Sequence, residues 1–310
     1  MRKVFALLKL GGGTEQVLST NKGLIASMFD LLHWKIRQAF CPFKRAVDPS
    51  QWLMNLDAPA YTEPSTPDSI LRQKHLLERF PHFDDLPSAW AWVKLESLYQ
   101  LDQIATLLQT HPIPQGETCH WVDVGSKNGT TLGACVAVAA QLGEKVQITG
   151  LELDTFRYYL DGYTRGDYGR GLVKSFAETP ALNALGTLDF VEADVNNYAQ
   201  THPATADVVS CFLPFVLAKE HTAWGLPKQD FNPHAFFKSV WSLLKPNGVL
   251  LISNLSEDEV HAQRQCLDAL EADSPEGQGM LRHIEALEIE TRFMKCSEER
   301  RFLWMLQKIS

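Results

Sequence analysis

The chain alternates between short apolar runs of strand length and longer segments with apolar residues at helical spacing. Five such runs follow one another in the middle of the chain, each separated from the next by enough residues for a helix. This alternation predicts an α/β fold with a mostly parallel sheet. Two further apolar runs close the chain and favour a β-hairpin pair. The predicted strands are 120–124, 147–154, 188–194, 206–215 and 248–254, with the closing pair at 288–294 and 302–309.

The N-terminal third of the chain favours helices. Residues 23–40 form an amphipathic pattern, and two further helices are predicted, one over 67–80 and one after Pro87. The amphipathic pattern of 23–40 fits a helix that covers a core, and it also fits a contact with a membrane surface.

A segment rich in proline and glycine, 112–116, separates this helical portion from the predicted strands. We therefore expect two domains, with residues 1–112 as a helical cap or substrate region and residues 113–310 as the α/β domain. A chain of 310 residues with 45% hydrophobic residues is long enough to bury a core in this arrangement.

The first predicted strand runs into a glycine turn that opens a helix, with the sequence Asp123-Val-Gly125-Ser126-Lys127-Asn-Gly129. Glycines let the backbone bend sharply and approach a ligand closely, and the free N–H groups at the start of the helix face the same spot. The full dinucleotide pattern G-x-G-x-x-G is absent, so the turn by itself fits either a tight loop or a nucleotide site. The second predicted strand carries the acid Glu152 near its end, where a carboxylate suits ribose hydroxyls.

With these residues in this order, the chain resembles the class I S-adenosylmethionine-dependent methyltransferases over about residues 115–310. The resemblance implies a Rossmann-like seven-stranded sheet with an antiparallel last strand, and S-adenosyl-L-methionine as the cofactor. It assigns the glycine turn to the methionine part of the cofactor, Glu152 to the ribose, Asp194 to the adenine amine and residues 210–215 to the reaction centre. The implied cofactor-binding residues are Asp123, Gly125, Ser126, Lys127, Gly129, Glu152, Asp194, Val195, Ser210 and Phe212.

Lys127 departs from the family pattern, because the family usually has glycine at that position. A side chain there would either crowd the cofactor or pair its ammonium group with the cofactor's carboxylate. The sequence is compatible with both.

The spacing between Glu152 and Asp194 exceeds what one helix and two short loops need. The extra residues, 155–173, hold four tyrosines, three arginines and four glycines. They fit either a flexible flap over the acceptor or a solvated helix extension. Tyr163 in this stretch and His221 after the fourth strand are the candidate catalytic residues, and a surface role is the alternative for His221.

The formal net charge of −8 argues against a general affinity for nucleic acid. The six cysteines are scattered without a C-x-x-C pair, so neither a disulfide framework nor a zinc site is indicated. No apolar run approaches the length of a membrane-spanning helix, which is about 18 residues or more. We therefore expect a cytoplasmic protein without a bound metal.

The sequence favours a methyltransferase that acts on a small or partly apolar acceptor by in-line methyl transfer, without identifying the acceptor or the oligomeric state. Two alternatives stay open. Lys127 and the large N-terminal portion would suit a catalytically degenerate methyltransferase fold that serves as a binding module. Glu152 would also bind ribose in a NAD-dependent oxidoreductase, although the glycine pattern of that class is missing.

Overall fold

The computed structural model describes residues 31–32, 34–36, 38–39, 45–47, 66–85, 91–110, 113, 116–159, 162–272, 281–290 and 300–309. The chain divides into two compact units. The smaller unit comprises Met1–Pro42 and Leu217–Asn232, and the larger comprises Phe43–Val216 and Pro233–Ser310. The boundary near residue 112 stays a prediction. Most of the amphipathic segment 23–40 lies outside the described residues.

The larger unit is built on a seven-stranded sheet with the order β3-β2-β1-β4-β5-β7-β6. Strands β1 to β5 are parallel, and β7 runs antiparallel to both β5 and β6. The predicted α/β fold with its antiparallel last strand is confirmed. The strands are β1 (Gly116–Val124), β2 (Gly143–Glu152), β3 (Gly186–Glu192), β4 (Ala206–Phe212), β5 (Leu244–Asn254), β6 (Leu281–Glu290) and β7 (Arg300–Lys308).

The closing antiparallel pair was predicted in the right place but with the wrong start for its first strand. β6 begins at Leu281, whereas the apolar run had suggested residue 288. The reason is the pairing with β7, which extends from Glu290 opposite Arg300 to Leu281 opposite Lys308. Polar residues inside β6 are tolerated because the ladder with β7, and not an apolar run, defines the strand.

The described helices confirm the predictions made over residues 67–80 and after Pro87. Helix α1 begins with a capping box, in which Thr66 and Ser69 each accept the other's backbone N–H. In the described parts of the chain no helix has both the length and the apolar character needed to cross a membrane. The helices are α1 (Pro67–Arg79), α2 (Ala91–Thr110), α3 (Leu132–Leu142), α4 (Arg165–Glu178), α5 (Pro180–Leu185), α6 (Val195–Thr201), α7 (Ala218–Ala223), α8 (Pro233–Leu243) and α9 (Glu257–Ala272).

Helix α2 lies in the core and is buried nearly all round. It packs against α3 and β7, and its apolar side chains join the cluster that also holds Trp121 and Ile148 of the sheet. Its polar side chains Gln100 and Gln103 are buried too and bond to each other, and Ser253 Oγ donates to Gln103 Oε1 at 2.7 Å. A helix buried on all sides needs such internal partners for every polar group.

The second half of the glycine-rich stretch 155–173 is helical, since α4 begins at Arg165. Thr164 caps this helix in a capping box with Asp167. Gly171 faces the backbone of residues 45–47, where a Cβ would overlap the carbonyl oxygen of Val47. Gly169 likewise packs on the ring of Phe190. These glycines therefore serve close packing.

We expect Gly171→Ala to lower the free energy of unfolding by about 1–3 kcal/mol, because overpacking costs that much in a close-packed contact. In an open helix the same replacement would stabilise by about 0.5–1 kcal/mol. Urea unfolding measures the difference. Lys174→Ala, on an exposed position of the same helix, is the matched control and should change stability by less than about 0.5 kcal/mol. A gain in stability for Gly171→Ala would show that residues 45–47 do not lie against α4.

Candidate functional site

The glycine turn after β1 is open toward solvent at Gly125. This residue has a φ of +80° and is exposed, and a Cβ placed on it would meet no atom within 4 Å. The N–H groups of Gly125 and Ser126 donate to Leu151 O at 2.9 and 3.0 Å, which ties the turn to the end of β2. A ligand can therefore approach the backbone here without displacing a side chain.

Asp123, at the end of β1, holds the turn from inside. Its side chain is 1% exposed and accepts hydrogen bonds from the hydroxyls of Ser210 (2.6 Å), Ser126 (2.8 Å) and Thr131. Trp121 Nε1 donates to Ser210 Oγ at 2.8 Å, so the network continues along the sheet. Burial raises the pKa of Asp123, and the three hydroxyl donors oppose that rise. Ser126 and Ser210 therefore both bond to Asp123 in this structure.

Glu152, the last residue of β2, faces the same turn. Its Oε2 accepts the N–H of Lys127 at 2.8 Å, and its Oε1 accepts the N–H of Asp154 at 2.8 Å. The side chain is buried, and burial raises the pKa of Glu152, while the nearby guanidinium of Arg165 opposes the rise. An ionised carboxylate has about four lone-pair sites. Oε1 also accepts a long hydrogen bond from Arg165 Nη1 at 3.5 Å. Oε2 therefore keeps one acceptor site without a partner among the described residues, and the second site of Oε1 holds only this long bond.

Lys127 adopts a left-handed backbone with a φ of +52°. Glycine occupies such a conformation without steric cost, which gives a physical reason for the glycine that the family resemblance implies here. The side chain extends to α2, where Nζ lies 3.4 Å from Oε1 of the buried Glu96. The ammonium group thus has a partner within the chain.

Asp194 and Val195 stand just past β3, which ends at Glu192, and not on the strand itself. Asp194 caps α6: its Oδ1 accepts the N–H of Asn196 at 2.9 Å and the amide of the same residue at 3.0 Å. Its second oxygen accepts no hydrogen bond within the described part of the chain. Val195 is buried as the first residue of α6.

The end of β4 turns away directly after Phe212. Phe212 is buried, and Leu213 has a φ of +59° with its N–H donating to Ser253 O at 2.8 Å. Residues 213–215 were predicted as part of the strand and instead form this turn. A non-glycine residue in the left-handed region is uncommon and marks a constrained turn.

Tyr163, predicted as a catalytic residue, packs between other side chains. The guanidinium of Arg45 lies 4.5 Å from the centre of its ring, and the ring of Tyr168 meets it edge-on at 6.2 Å. Another tyrosine of this stretch, Tyr159, is buried, and burial raises its pKa to about 12. Its hydroxyl interacts with Arg165. A catalytic role for Tyr163 stays a prediction.

His221, the other predicted catalytic residue, belongs to the smaller unit. It lies on α7, is buried, and packs edge-on against Phe231 with ring centres 5.4 Å apart. Burial lowers the pKa of His221, so the imidazole is neutral at pH 7. Its catalytic role also stays a prediction.

Charged residues from the segment after β2 and from α4 surround Glu152. Arg165 Nη1 lies 3.5 Å from Glu152 Oε1 and 3.9 Å from Asp154 Oδ2, and Arg157 Nε donates to Asp154 Oδ2 at 2.8 Å. Three carboxylates thus meet three cations. This set, the Glu152 charge cluster, consists of Glu96, Lys127, Glu152, Asp154, Arg157 and Arg165.

Sequence patterns indicate part of the surroundings of this cluster. Glu96, Gln100 and Gln103 stand at helical spacing inside an apolar helix, which indicates a polar stripe along a buried face. Thr164 and Asp167 are spaced as a capping box, which would have started α4 at Arg165. No local pattern indicates that Arg165 reaches Glu152.

The site has features that fit a nucleoside-containing cofactor. The backbone at Gly125 is open, Glu152 retains acceptor sites, and two buried oxygens near the turn have no hydrogen-bond partner among the described residues. These atoms are Thr130 Oγ1 and Asp154 Oδ1. Unpartnered buried oxygens are uncommon in folded proteins and require an explanation such as a missing ligand or water.

Comparisons with known proteins give distant structural similarities. No family model and no curated protein sequence matches the chain. TrmN from Thermus thermophilus is 16% identical, with a TM-score of 0.44 over 74% of this chain, which spans about half (53%) of TrmN. The N-methyltransferase NodS from Bradyrhizobium japonicum WM9 is 10% identical, with a TM-score of 0.40 over 68% of this chain and 97% of NodS. The [4+2]-cyclase SpnF is 10% identical, with a TM-score of 0.43 over 81% of this chain and 99% of SpnF.

At these identities and TM-scores the similarities carry no information about activity. The sheet itself, with parallel strands β1 to β5 and the antiparallel β7 between β5 and β6, agrees with the resemblance found in the sequence. The function of the chain has to be inferred from the site.

Proposed function

We propose that the protein binds S-adenosylmethionine and transfers its methyl group to a small or partly apolar acceptor. One observation carries the proposal: the Glu152 carboxylate lies against the glycine turn, with an acceptor site on Oε2 that no described residue uses and a second site on Oε1 that holds only the long hydrogen bond from Arg165. Two neighbouring acceptors on one carboxylate suit the two vicinal hydroxyls of a ribose. The site also lies at the carboxyl end of β1, next to β4. The connection from β1 leads to β2 on one side of this point and the connection from β4 leads to β5 on the other, which is the usual ligand position in open α/β sheets.

In this proposal each part of the cofactor has its own contact. Glu152 accepts the ribose hydroxyls, and the free oxygen of Asp194 accepts the adenine amine. The open backbone at Gly125 lies along the methionine part, with Ser126, Gly129 and the buried network of Asp123 and Ser210 shaping the turn. Val195 and Phe212 supply apolar walls.

When bound, the cofactor would supply an electrophilic methyl group on a sulfonium for in-line displacement, with the thioether of S-adenosylhomocysteine as the leaving group. The residues of the chain then have to orient the acceptor and exclude water, and a base is required only for acceptors such as hydroxyls. His221 and Tyr163 are the proposed groups for that role.

Methyl-labelled S-adenosylmethionine tests the proposal with the whole protein. Incubation with pooled small amines, acids and phenols on one side, and with RNA on the other, should move label only into the small molecules. Label in RNA would keep the methyltransferase assignment and overturn the acceptor class. The formal net charge of −8 is the reason to expect the first result.

Lys127→Gly distinguishes the two roles left open for Lys127. If the ammonium group leaves Glu96 and pairs with the cofactor carboxylate, the variant should bind S-adenosylhomocysteine about 10- to 150-fold more weakly, the range of one charge-assisted hydrogen bond. Tighter binding would show that the side chain obstructs the site and would favour the degenerate-domain alternative. Lys174→Gly, on exposed α4 surface, controls for loss of a charge. Isothermal calorimetry gives both affinities.

A further inference from the structure

Arg165 occupies a position that is electrostatically unfavourable by itself. It is the first residue of α4, where the helix dipole repels a cation, and only 5% of it is exposed. A buried guanidinium is costly unless carboxylates compensate for the lost water. Arg165 therefore depends on acids nearby, and the acids it contacts are Glu152 and Asp154.

The surroundings of Glu152 make Arg165 its countercharge. From the turn after β1, Lys127 offers Glu152 its backbone N–H, but its ammonium group pairs with Glu96 of α2. From the turn after β2, Arg157 pairs with Asp154. On the neighbouring strand, Glu192 pairs with Arg170. Within the described ranges, Arg165 is the cation whose side chain lies within 4 Å of the Glu152 carboxylate.

Glu152 needs a countercharge because it is buried. Removal from water disfavours the ionised form of the carboxylate, and the guanidinium of Arg165 at 3.5 Å stabilises that form. A protonated carboxyl group would lose an acceptor site to its own hydrogen and would bind ribose hydroxyls more weakly. Arg165 thus connects α4 to the acid at the end of β2.

We propose that Arg165 is a positioning residue for the cofactor: it holds the Glu152 carboxylate as an anion facing the glycine turn, ready to accept the two ribose hydroxyls. This inference rests on the proposed function. It assigns the insertion between β2 and β3 to the support of the cofactor site, a role different from the two that the sequence left open, an acceptor flap and a solvated helix extension.

Binding of S-adenosylhomocysteine by wild type and Arg165→Gln, measured by calorimetry between about pH 5 and about pH 9, tests the inference. In both proteins affinity should fall as the pH is lowered through the pKa of Glu152. Loss of the guanidinium raises that pKa, so in Arg165→Gln the fall should occur at a pH about one unit or more higher, which means about tenfold weaker binding at an intermediate pH. At high pH the variant should approach wild-type affinity.

Two further variants separate positioning from a general structural effect. Arg165→Lys keeps the charge and should restore most of the wild-type pH profile. Arg157→Gln removes a cation of the same cluster that pairs with Asp154, and it should leave the pH midpoint unchanged. A loss of affinity in Arg165→Gln that is the same at every pH, or no loss at all, would overturn the inference.

A failure of the proposed function can be distinguished from a failure of the inference about Arg165. If wild type binds no S-adenosylhomocysteine at any pH, the proposed function fails. The link between Arg165 and Glu152 is then still measured by carboxyl ¹³C NMR titration of Glu152 in wild type and Arg165→Gln, with Glu152→Gln identifying the resonance and Arg165→Met as the neutral variant where Arg165→Gln does not fold. A midpoint in the neutral variant equal to that of wild type would overturn the link, whereas Arg165→Lys should keep a midpoint close to wild type.

Discussion

Asp123→Ala is expected to lower the free energy of unfolding by about 2–4 kcal/mol, because it leaves buried hydroxyl donors without an acceptor at about 1–3 kcal/mol each. The donors affected are Thr131 and Ser210, while Ser126 keeps its second acceptor, the carbonyl oxygen of Asp123. The carboxylate joins β1, β4 and the start of α3, so its loss also loosens the glycine turn. Urea unfolding followed by far-UV circular dichroism gives the difference.

Asp189→Ala is the matched control, since Asp189 is an exposed acid on β3. It should change the stability by less than about 0.5 kcal/mol, as for most surface positions. If Asp123→Ala were as stable as this control, the hydroxyls of Thr131 and Ser210 would not depend on the Asp123 carboxylate. The account of how the turn is held would then be wrong.

Glu152→Ala is expected to weaken the binding of S-adenosylhomocysteine by about 100-fold or more. The replacement removes both acceptors for the ribose hydroxyls, and hydrogen bonds to a charged group contribute about 1.5–3 kcal/mol each. It also leaves Arg165 without its nearest carboxylate, so the folded state should be checked by thermal unfolding before affinities are compared. Calorimetry with S-adenosylhomocysteine is the measurement.

Glu192→Ala provides the control for Glu152→Ala. Glu192 ends β3 directly opposite Glu152 in the sheet register, yet it lies on the surface and pairs with Arg170. Its replacement should change the affinity by less than about threefold, because exposed ion pairs contribute about 0–1 kcal/mol. Equal affinities of wild type and Glu152→Ala would remove Glu152 from the cofactor site.

The predictable part of the fold was the part with periodic patterns. Strands β1 to β5 carry apolar runs bounded by turn residues, and helices such as α1 and α8 start at a proline in the first turn. Strand β6 was placed too late because its first residues gain strand structure from pairing with β7, a long-range effect that no local window contains. The predicted fourth strand extended past Phe212 for the same reason. The turn at Leu213 depends on a hydrogen bond to the carbonyl oxygen of Ser253, which is far away in sequence.

The candidate site was predictable in its backbone and not in its charges. Gly125 and Glu152 stand at motif positions, and both lie at the glycine turn as expected. The partners of Glu152 and Lys127 come from α4 and α2, far away in sequence, so spacing alone could not reveal them. The glycines of 155–173 left a flap and a helix extension open for a related reason: Gly171 packs against residues 45–47, a contact between parts of the chain that are far apart in sequence.

Calorimetric titration of the wild-type protein with S-adenosylhomocysteine, and separately with NAD, tests the central claim most directly. The proposed site predicts binding of S-adenosylhomocysteine with an affinity between about 1 μM and 1 mM, the range in which enzymes usually hold their substrates, and no measurable binding of NAD. Binding of NAD alone would contradict the claim in favour of an oxidoreductase, and binding of neither would contradict it in favour of a degenerate domain.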